Sequence, residues 1–264
     1  MHFAVAAGSD VGRVRKGNED SFFADANEFR GLFMVADGMG GHAAGEVASQ
    51  MAVQTISVDL EKLNDLESAG ALETVALALR HANRAVFERS SAERDKMGMG
   101  STASVLVLAD ERFIIGHLGD SRIYLYRDGE LRQITHDHSV VQEQIDAGLI
   151  TPDAARHHKQ SNVITRCVGM GWDVEPDVID GEVLQGDVFL LASDGLTGMV
   201  EDRRLKQLLA SRATPDRMVD AMISEANARG GVDNITVVVV RVHSSSAMAT
   251  GTHPTSGPGA GTIG

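Results

Sequence analysis

Acidic residues at five strand ends of this sequence could together form a cation site. Each lies directly before or after an apolar, β-like stretch. They are Glu19 and Asp20 before SFFA, Asp37 after GLFMVA, Asp120 after RFIIGHLG, Asp194 after DVFLLAS and Asp233 before NITVVVVRV. Aspartate and glycine are also common turn residues, so one such position alone predicts only a turn. Asp37 and Asp194, however, repeat one pattern, a strand followed by Asp-Gly. The repetition favours a site at which several strand ends converge.

Converging carboxylates repel one another unless cations lie between them. At about 4 Å and an effective dielectric constant near 20, each pair costs roughly 4 kcal/mol. Several pairs would exceed the stability of a typical domain, about 5–15 kcal/mol. The candidate ligands are all oxygen atoms, which Mg²⁺ and Mn²⁺ prefer. Zinc is disfavoured, because the sequence has neither Cys-x-x-Cys nor His-Glu-x-x-His and Cys167 stands alone.

The glycines after Asp37 offer an alternative interpretation, a phosphate-binding turn. From Gly38 the sequence spells G-x-G-x-x-A, and Asp59 follows at about the distance of the acidic residue in a dinucleotide fingerprint. An ionised Asp37 before the first glycine would repel a pyrophosphate, and no G-x-x-x-x-G-K-[ST] motif is present. We therefore expect the glycines to shape a tight turn that leaves the Gly38 carbonyl free to bind a metal beside Asp37.

Composition limits the function classes. The net charge of −13 over 264 residues argues against general binding of nucleic acid or anionic membranes. A single cysteine, Cys167, cannot form an internal disulfide and predicts a reducing compartment. The start MHFAVAAGSD lacks the pattern of a secretion signal, and the run ITVVVV is too short to span a bilayer. We therefore expect a cytoplasmic protein without a membrane span.

Residues 1–243 are predicted to form one domain, because no Pro/Gly/Ser-rich linker interrupts this part of the chain. From 244 to 264 the sequence SSSAMATGTHPTSGPGAGTIG is small and polar and has little to bury. That composition predicts a disordered C-terminal tail.

The pattern of apolar residues predicts an α+β fold. Helices are expected over 43–58 and 72–87, from Thr214 with Pro215 in its first turn, and more briefly from Thr151. Leu72 is included in the apolar stripe of the second helix. Short β-like runs fill much of the remainder, with hairpin turns at LADER and YRDGE. Strict β-α alternation is absent, so antiparallel sheets faced by helices are favoured over a doubly wound parallel sheet.

Seven segments, in this order, resemble the metal-dependent Ser/Thr protein phosphatases of the 2C type in their compact bacterial form. They are SDVGRVRKGNEDS, VADGMGGHAAGEVAS, MGSTASVLVL, HLGDSRIYLYRDGEL, SNVITRCVG, GDVFLLASDGLTGMV and GGVDNITVVVV. The resemblance covers about residues 3–242, and the ordered set is far more specific than any single motif. It implies a four-layer α-β-β-α sandwich with two central antiparallel sheets flanked by helices. It also implies hydrolysis of phosphoserine and phosphothreonine in proteins.

The resemblance implies two Mn²⁺ or Mg²⁺ ions held mainly by four positions. Asp37 would bridge the two ions, and the Gly38 carbonyl would bind one of them. Asp194 and Asp233 would complete the shell of the second ion. Asp37, Asp194 and Asp233 are therefore the expected catalytic residues, acting through a hydroxide that bridges the metals and attacks phosphorus in line.

Further positions take supporting roles under the same resemblance. Glu19 and Asp20 would bind or orient metal-bound waters, and Asp120 would join Asp194 in holding a third, weaker metal. Arg15 is the expected substrate arginine, because its planar fork suits a pair of phosphate oxygens. Cys167 lacks the Cys-x5-Arg phosphate loop of a nucleophilic cysteine and is expected to be a buried structural thiol.

The chain departs from many eukaryotic relatives at Met39. Those relatives have a histidine after Asp-Gly that is proposed as the general acid. His42 is expected to be a capping or structural residue rather than a replacement. The segment 136–163 corresponds to the family's flap, and its clustered histidines, His136, His138, His157 and His158, are too irregularly spaced for zinc. We expect this segment to be a solvated loop that influences which phosphopeptides bind.

The expected partners are phosphorylated proteins, in particular a bacterial Ser/Thr kinase and its substrates, and the expected state is a monomer. The alternative is a pseudophosphatase that binds metal and acts as a sensor or scaffold. The presence of every acidic residue of the site disfavours that alternative. A narrower enzyme, specific for one phosphorylated regulator such as an anti-sigma-factor antagonist, stays open.

Overall fold

The computed structural model describes residues 2–40, 43–109, 111–156 and 158–243. Its central feature is a pair of antiparallel sheets. In the first sheet the strand order is β1 (His2–Asp10), β11 (Ile235–His243), β10 (Val188–Ala192), β7 (Arg122–Arg127) and β8 (Glu130–Gln133). In the second it is β2 (Asp20–Ala26), β3 (Arg30–Met39), β5 (Ala103–Ala109), β6 (Arg112–Leu118) and β9 (Asp177–Glu182), with β4 (Gly100–Ser101) paired to β3.

Helices cover the outer face of each sheet. The α-helices of the described residues are α1 (Ala43–Leu60), α2 (Ala71–Ala92), α3 (Val140–Asp146), α4 (Pro152–Ala155), α5 (Asp194–Thr197), α6 (Asp202–Leu209) and α7 (Pro215–Ala228). Helices α1 and α2 pack on the second sheet, and α5, α6 and α7 pack on the first. The inner faces of the sheets meet in a separate apolar core that includes Phe33, Leu106, Phe189 and Val238. This arrangement confirms the predicted α+β, four-layer α-β-β-α sandwich.

The central strands show why the sequence chooses this fold. Every residue of Ala103–Ala109 and each residue of 235–240 is buried, since one sheet face meets the other sheet and the opposite face meets helices. Such strands are continuous apolar runs rather than alternating ones. The YRDGE turn is confirmed as a tight hairpin, because Asp128 and Gly129 both take positive φ angles, 51° and 80°.

The predicted helices form with small differences in extent. The stripe of the second helix is buried at Val75, Leu79 and Val86, but Leu72 is 44% exposed, so its inclusion in that stripe was wrong. Thr151 caps α4 by accepting a hydrogen bond from the Ala154 N–H at 3.3 Å. Thr214 occupies the equivalent position before α7 without a side-chain hydrogen bond there.

The segment 136–163 differs from the expected solvated loop. It contains α3 and α4, and its first part is buried at Asp137, His138 and Ser139. His138 is only 3% exposed because its ring is enclosed between the chain at Gly119 and β9. His42, His157 and the tail 244–264 lie outside the described residues. No helix among the described residues has the length and apolarity needed to cross a membrane.

Candidate metal centre

The structure brings the predicted carboxylates from both sheets to one end of the sandwich. Asp37 lies near the end of β3, and Asp20 begins the neighbouring strand β2. Asp120 lies in the connection where the chain passes from β6 in the second sheet to β7 in the first. Asp194 follows β10 and begins α5, and Asp233 precedes β11. Separate strand ends thus meet at one edge because the two sheets are stacked.

Thr102 and Ser101 hold the backbone of Asp37. The Asp37 N–H donates to Thr102 Oγ1 at 2.8 Å, and the Thr102 N–H donates to the Asp37 carbonyl at 2.9 Å. Ser101 Oγ also donates to that carbonyl, at 3.1 Å. With its backbone held in this way, Asp37 presents its carboxyl toward the other acids.

Asp20 is buried and is held by a serine from the other sheet. Ser193 Oγ donates to Asp20 Oδ2 at 2.8 Å and accepts a hydrogen bond from the Thr236 N–H at 2.9 Å. The second carboxyl oxygen, Asp20 Oδ1, is buried without a partner among the described residues. Ser193 therefore joins β2 to the first sheet directly beneath the site.

Glycines at this end of the sandwich allow close approach of backbones. A Cβ on Gly38 would lie 2.1 Å from the Gly45 carbonyl oxygen and 2.5 Å from that of Glu19. A Cβ on Gly45 would lie 2.1 Å from Glu19 Oε2. The Gly38 N–H donates to the Glu19 carbonyl at 3.1 Å. The glycines after Asp37 thus let the first turn of α1 pack against β3 and the Glu19 carboxylate.

Asn234 organises the loop that carries Glu19. Its Oδ1 accepts from the Glu19 N–H at 2.9 Å, and its Nδ2 donates to the carbonyls of Val11 and Gly17 at 3.0 and 2.9 Å. Its own N–H donates to Asp233 Oδ1 at 2.8 Å. Asn234 is therefore a structural contributor that the sequence analysis missed, although its position beside Asp233 could have indicated it.

Arg15 lies at the rim of the same cluster. Its Nη2 donates to Asp233 Oδ2 at 2.6 Å, and its side chain is 49% exposed. Partial burial of the guanidinium lowers the pKa of Arg15, but the hydrogen bond to Asp233 and the carboxylates of Asp233, Glu19 and Asp37 together outweigh it and raise the pKa above its usual value. The arginine is thus charged, partly accessible and directed to the acids.

Burial and mutual repulsion raise the pKa values of the clustered acids. Burial raises the pKa of Asp20 to about 7, and Asp194 and Asp233 add to the rise. Burial, Asp194 and Asp137 raise that of Asp120 to about 8. The pKa of Asp37 is well above its usual value because of burial and then of Asp20 and Asp194. Metal-free, the site therefore retains protons near neutral pH that a cation would displace.

The donor set fits hard divalent cations. Two carboxyl oxygens, Asp20 Oδ1 and Asp194 Oδ1, are buried without a hydrogen-bond partner in the described part of the chain. No three His, Cys, Asp or Glu side chains within the described ranges form a ready-made ligand group. Mg²⁺ binds through only one or two carboxylates and keeps several waters, so it needs no such group. A groove of about 470 Å³ opens from Asp120, Asp194 and Asp233 toward α3 and α4.

Cys167 is buried, as expected for a structural thiol, and burial raises its pKa to about 11. Its Sγ lies 3.9 Å from Met39 Sδ. The hydroxyl groups next to the acids, those of Thr102, Ser121 and Ser193, were not predicted from the sequence. Ser121 and Ser193 adjoin the predicted acids Asp120 and Asp194 in the sequence, but serine is too common for that proximity to be a signal, and Thr102 lies beside none of the predicted acids.

Comparison with protein-family models matches residues 8–233 to protein phosphatase 2C. The serine/threonine phosphatase stp of Listeria monocytogenes serotype 4b (strain F2365) is 38% identical over 234 residues, covering 88% of this chain and 93% of that protein. The serine/threonine protein phosphatase PstP of Mycobacterium tuberculosis (strain H37Rv) is 42% identical over 238 residues, covering 90% of this chain and 44% of that protein.

Solved structures give the same relationship. The crystal structure of Mycobacterium tuberculosis PstP/Ppp aligns with a TM-score of 0.83 and 40% identity, covering 92% of this chain and 99% of that one. The catalytic domain of PstP in complex with two manganese ions aligns with a TM-score of 0.80 and 41% identity, again over 92% and 99%.

Proposed function

Because the chain belongs to the protein phosphatase 2C family and is a serine/threonine protein phosphatase, we propose that it works with two Mn²⁺ or Mg²⁺ ions at the Asp37 centre. The observation that carries this proposal is the convergence of buried and half-buried acids from two sheets, with the buried atoms Asp20 Oδ1 and Asp194 Oδ1 left without partners among the described residues. The two manganese ions bound by the PstP catalytic domain support it.

Asp37, the Gly38 carbonyl, Asp194 and Asp233 would hold the two ions. When bound there, the ions would supply a water of lowered pKa and positive charge beside the phosphoryl group. Glu19 orients the surrounding waters. Thr102 keeps the Asp37 backbone in place through two hydrogen bonds. Its hydroxyl accepts from the Asp37 N–H, and its own N–H donates to the Asp37 carbonyl.

Asp20 and Asp120 supply the outer part of the centre. Ser193 holds one oxygen of Asp20 and leaves the other directed to the site, where it can accept a hydrogen bond from an ordered water. Asp120 would pair with Asp194 around a third, weaker ion. Burial raises the pKa of Asp120, and the Asp194 carboxyl adds to that rise, which supports the pairing.

Arg15 would bind the phosphate. Its guanidinium presents several donors in one plane, which suits two phosphoryl oxygens. Only Nη2 is bonded to Asp233, so the arginine can stay anchored while other donors turn to the substrate. Met39, by contrast, has no proton to give, so it cannot protonate the leaving alkoxide.

The direct experiment is hydrolysis of a phosphothreonine peptide with and without Mn²⁺. We expect turnover with the metal, loss of turnover on chelation, and loss in Asp37→Asn and Asp194→Asn. Asp173→Asn is the matched control, because Asp173 is an exposed acid that pairs with Arg84 of α2 and, among the described residues, has no hydrogen bond to the clustered acids. Normal turnover by both site variants would contradict the metal mechanism. Mn²⁺ binding without turnover on any phosphopeptide would favour the pseudophosphatase.

A phosphatase of this specificity acts on residues that a Ser/Thr kinase has modified. We therefore propose such a kinase and its substrates as the partners of this protein. A phosphoproteome compared with and without the active enzyme, using Asp37→Asn as the inactive control, should show phosphoserine and phosphothreonine sites that accumulate. If only one regulator accumulates phosphate, the enzyme is a dedicated one rather than a general kinase antagonist.

A further inference from the structure

Two buried hydroxyl groups lie between the segments that carry Asp37 and Asp120. Thr102 Oγ1 and Ser121 Oγ are 2.8 Å apart, and both residues are completely buried. Thr102 lies between β4 and β5 in the second sheet. Ser121 follows Asp120 at the crossover to the first sheet. The hydroxyl pair therefore connects the two sheets directly beneath the acids.

Thr102, one member of the pair, holds the backbone of Asp37. The Thr102 hydroxyl accepts the hydrogen bond of the Asp37 N–H at 2.8 Å. A hydroxyl has one donor and two acceptor positions, so Thr102 Oγ1 can hold Asp37 and Ser121 together. A valine of the same shape would leave the Asp37 N–H without this partner.

Ser121, the other member of the pair, belongs to the loop that carries Asp120. Ser104 Oγ lies 2.9 Å from the Ser121 carbonyl, to which it can donate, and the Gly119 N–H donates to His138 Nδ1 at 3.1 Å. A Cβ on Gly119 would lie 2.5 Å from the Thr102 methyl group, so this loop packs tightly against Thr102. The Asp120 loop is thus held by hydrogen bonds from Ser104 and to His138, and it packs closely against Thr102.

We propose that Thr102 and Ser121 are positioning residues that hold Asp37 and Asp120 in one register for divalent metal binding. The proposal rests on the metal centre proposed above, and neither residue needs to contact an ion. It adds that the affinity of the acids for metal depends on a hydrogen bond between two neutral side chains below them.

The first test is calorimetric titration of Mn²⁺ into metal-free protein. Thr102→Val keeps the shape and removes the hydroxyl, and Thr102→Ser keeps the hydroxyl and removes the methyl group. A net hydrogen bond of typical strength corresponds to a change of about five- to tenfold. We expect Thr102→Val to bind Mn²⁺ more weakly by about that factor, and Thr102→Ser to bind it nearly as wild type does.

Thermal unfolding of the metal-free variants distinguishes positioning from general stability. Ser90→Ala is a matched control, because it removes another buried hydroxyl, one that accepts from the Gly98 N–H at 2.9 Å. We expect Ser90→Ala to lower the unfolding temperature without changing Mn²⁺ affinity. If Thr102→Val and Ser90→Ala weaken Mn²⁺ binding equally, the effect follows from stability and the proposal is wrong.

The double variant tests whether the hydroxyls act as a pair. Ser121→Ala should weaken Mn²⁺ binding, and adding it to Thr102→Val should weaken binding by less than the product of the two separate factors. Fully multiplicative effects, or wild-type affinity in Thr102→Val, would overturn the proposal. Absence of Mn²⁺ binding in the wild-type protein would instead overturn the proposed metal centre, so the two failures are distinguishable.

Discussion

Asp20 and Asp37 lie directly opposite each other on the antiparallel strands β2 and β3. Like charges in that position destabilise a sheet. Burial and the neighbouring acids raise the pKa of both residues, that of Asp20 to about 7. In the metal-free protein, retained protons therefore reduce the repulsion between Asp20 and Asp37. A fold that places these acids together is less stable without cations than with them.

This relationship predicts how the metal-free protein responds to pH. Asp20 and Asp120 have native pKa values of about 7 and about 8, above the unfolded value of 3.8. Between about pH 4 and 8 the native state then binds more protons than the unfolded state, so these groups lower the free energy of unfolding as pH rises. Mn²⁺ should therefore raise the unfolding temperature more at pH 8 than at pH 5.

The control for this prediction removes one acid. His117 has its pKa lowered to about 3 by burial, and it favours the native state as pH rises from about 3 to 6.5, which opposes the acids. The difference between wild type and Asp20→Asn cancels that contribution. We expect the metal-free variant to lose less stability than wild type from pH 5 to 8, and an identical pH dependence would contradict the assignment.

Replacement of Arg15 should lower kcat/KM for a phosphopeptide more than it lowers the stability of the fold. Hydrogen bonds to charged groups contribute about 1.5–3 kcal/mol, so Arg15→Ala should lower kcat/KM for a phosphothreonine peptide by about 10- to 100-fold. Arg15→Lys should recover only part of this, because lysine lacks the planar fork. Steady-state kinetics with Lys16→Ala as the control would measure it, and equal effects of Arg15→Ala and Lys16→Ala would contradict the role.

Gly38 should tolerate no side chain. The added methyl of Gly38→Ala would lie 2.1 Å from the Gly45 carbonyl oxygen, which belongs to backbone and cannot turn away. Overpacking of this kind costs about 1–3 kcal/mol, and here it also separates α1 from β3. We expect a lower urea midpoint and weak Mn²⁺ binding. Gly17→Ala, whose Cβ meets nothing within 4 Å, should change neither property.

His138 should matter for stability and His136 should not. His138→Ala would leave the buried Gly119 N–H without its partner and would remove the 3.1 Å contact with Asp177, a loss of about 3 kcal/mol. His136 is exposed, and its surface contact with Asp146 should contribute little to stability because solvent screens it. Urea unfolding of both variants would test this, and equal midpoints would restore the expectation of a solvated segment.

The sequence was most informative where local patterns have one physical cause. Apolar runs such as 235–240 indicated strands, which the structure buries, and Asp128 with Gly129 indicated a tight hairpin. The seven motifs in their order along the chain indicated the phosphatase family. Leu72 and His138 were misjudged for one reason, because burial depends on what packs against a residue and not on its own neighbours in the chain.

By itself, the sequence determined the residue types of the centre, the antiparallel α+β class and the kind of enzyme, because each depends on chemistry or on short-range periodicity. Only the tertiary structure decided which groups meet. Asp20 and Asp37 are seventeen positions apart yet lie opposite each other, and Ser193 reaches Asp20 from the other sheet. The hydroxyls of Thr102 and Ser121 carry no recognisable pattern. Their 2.8 Å contact exists because two sheets stack, and stacking is a property of the whole core.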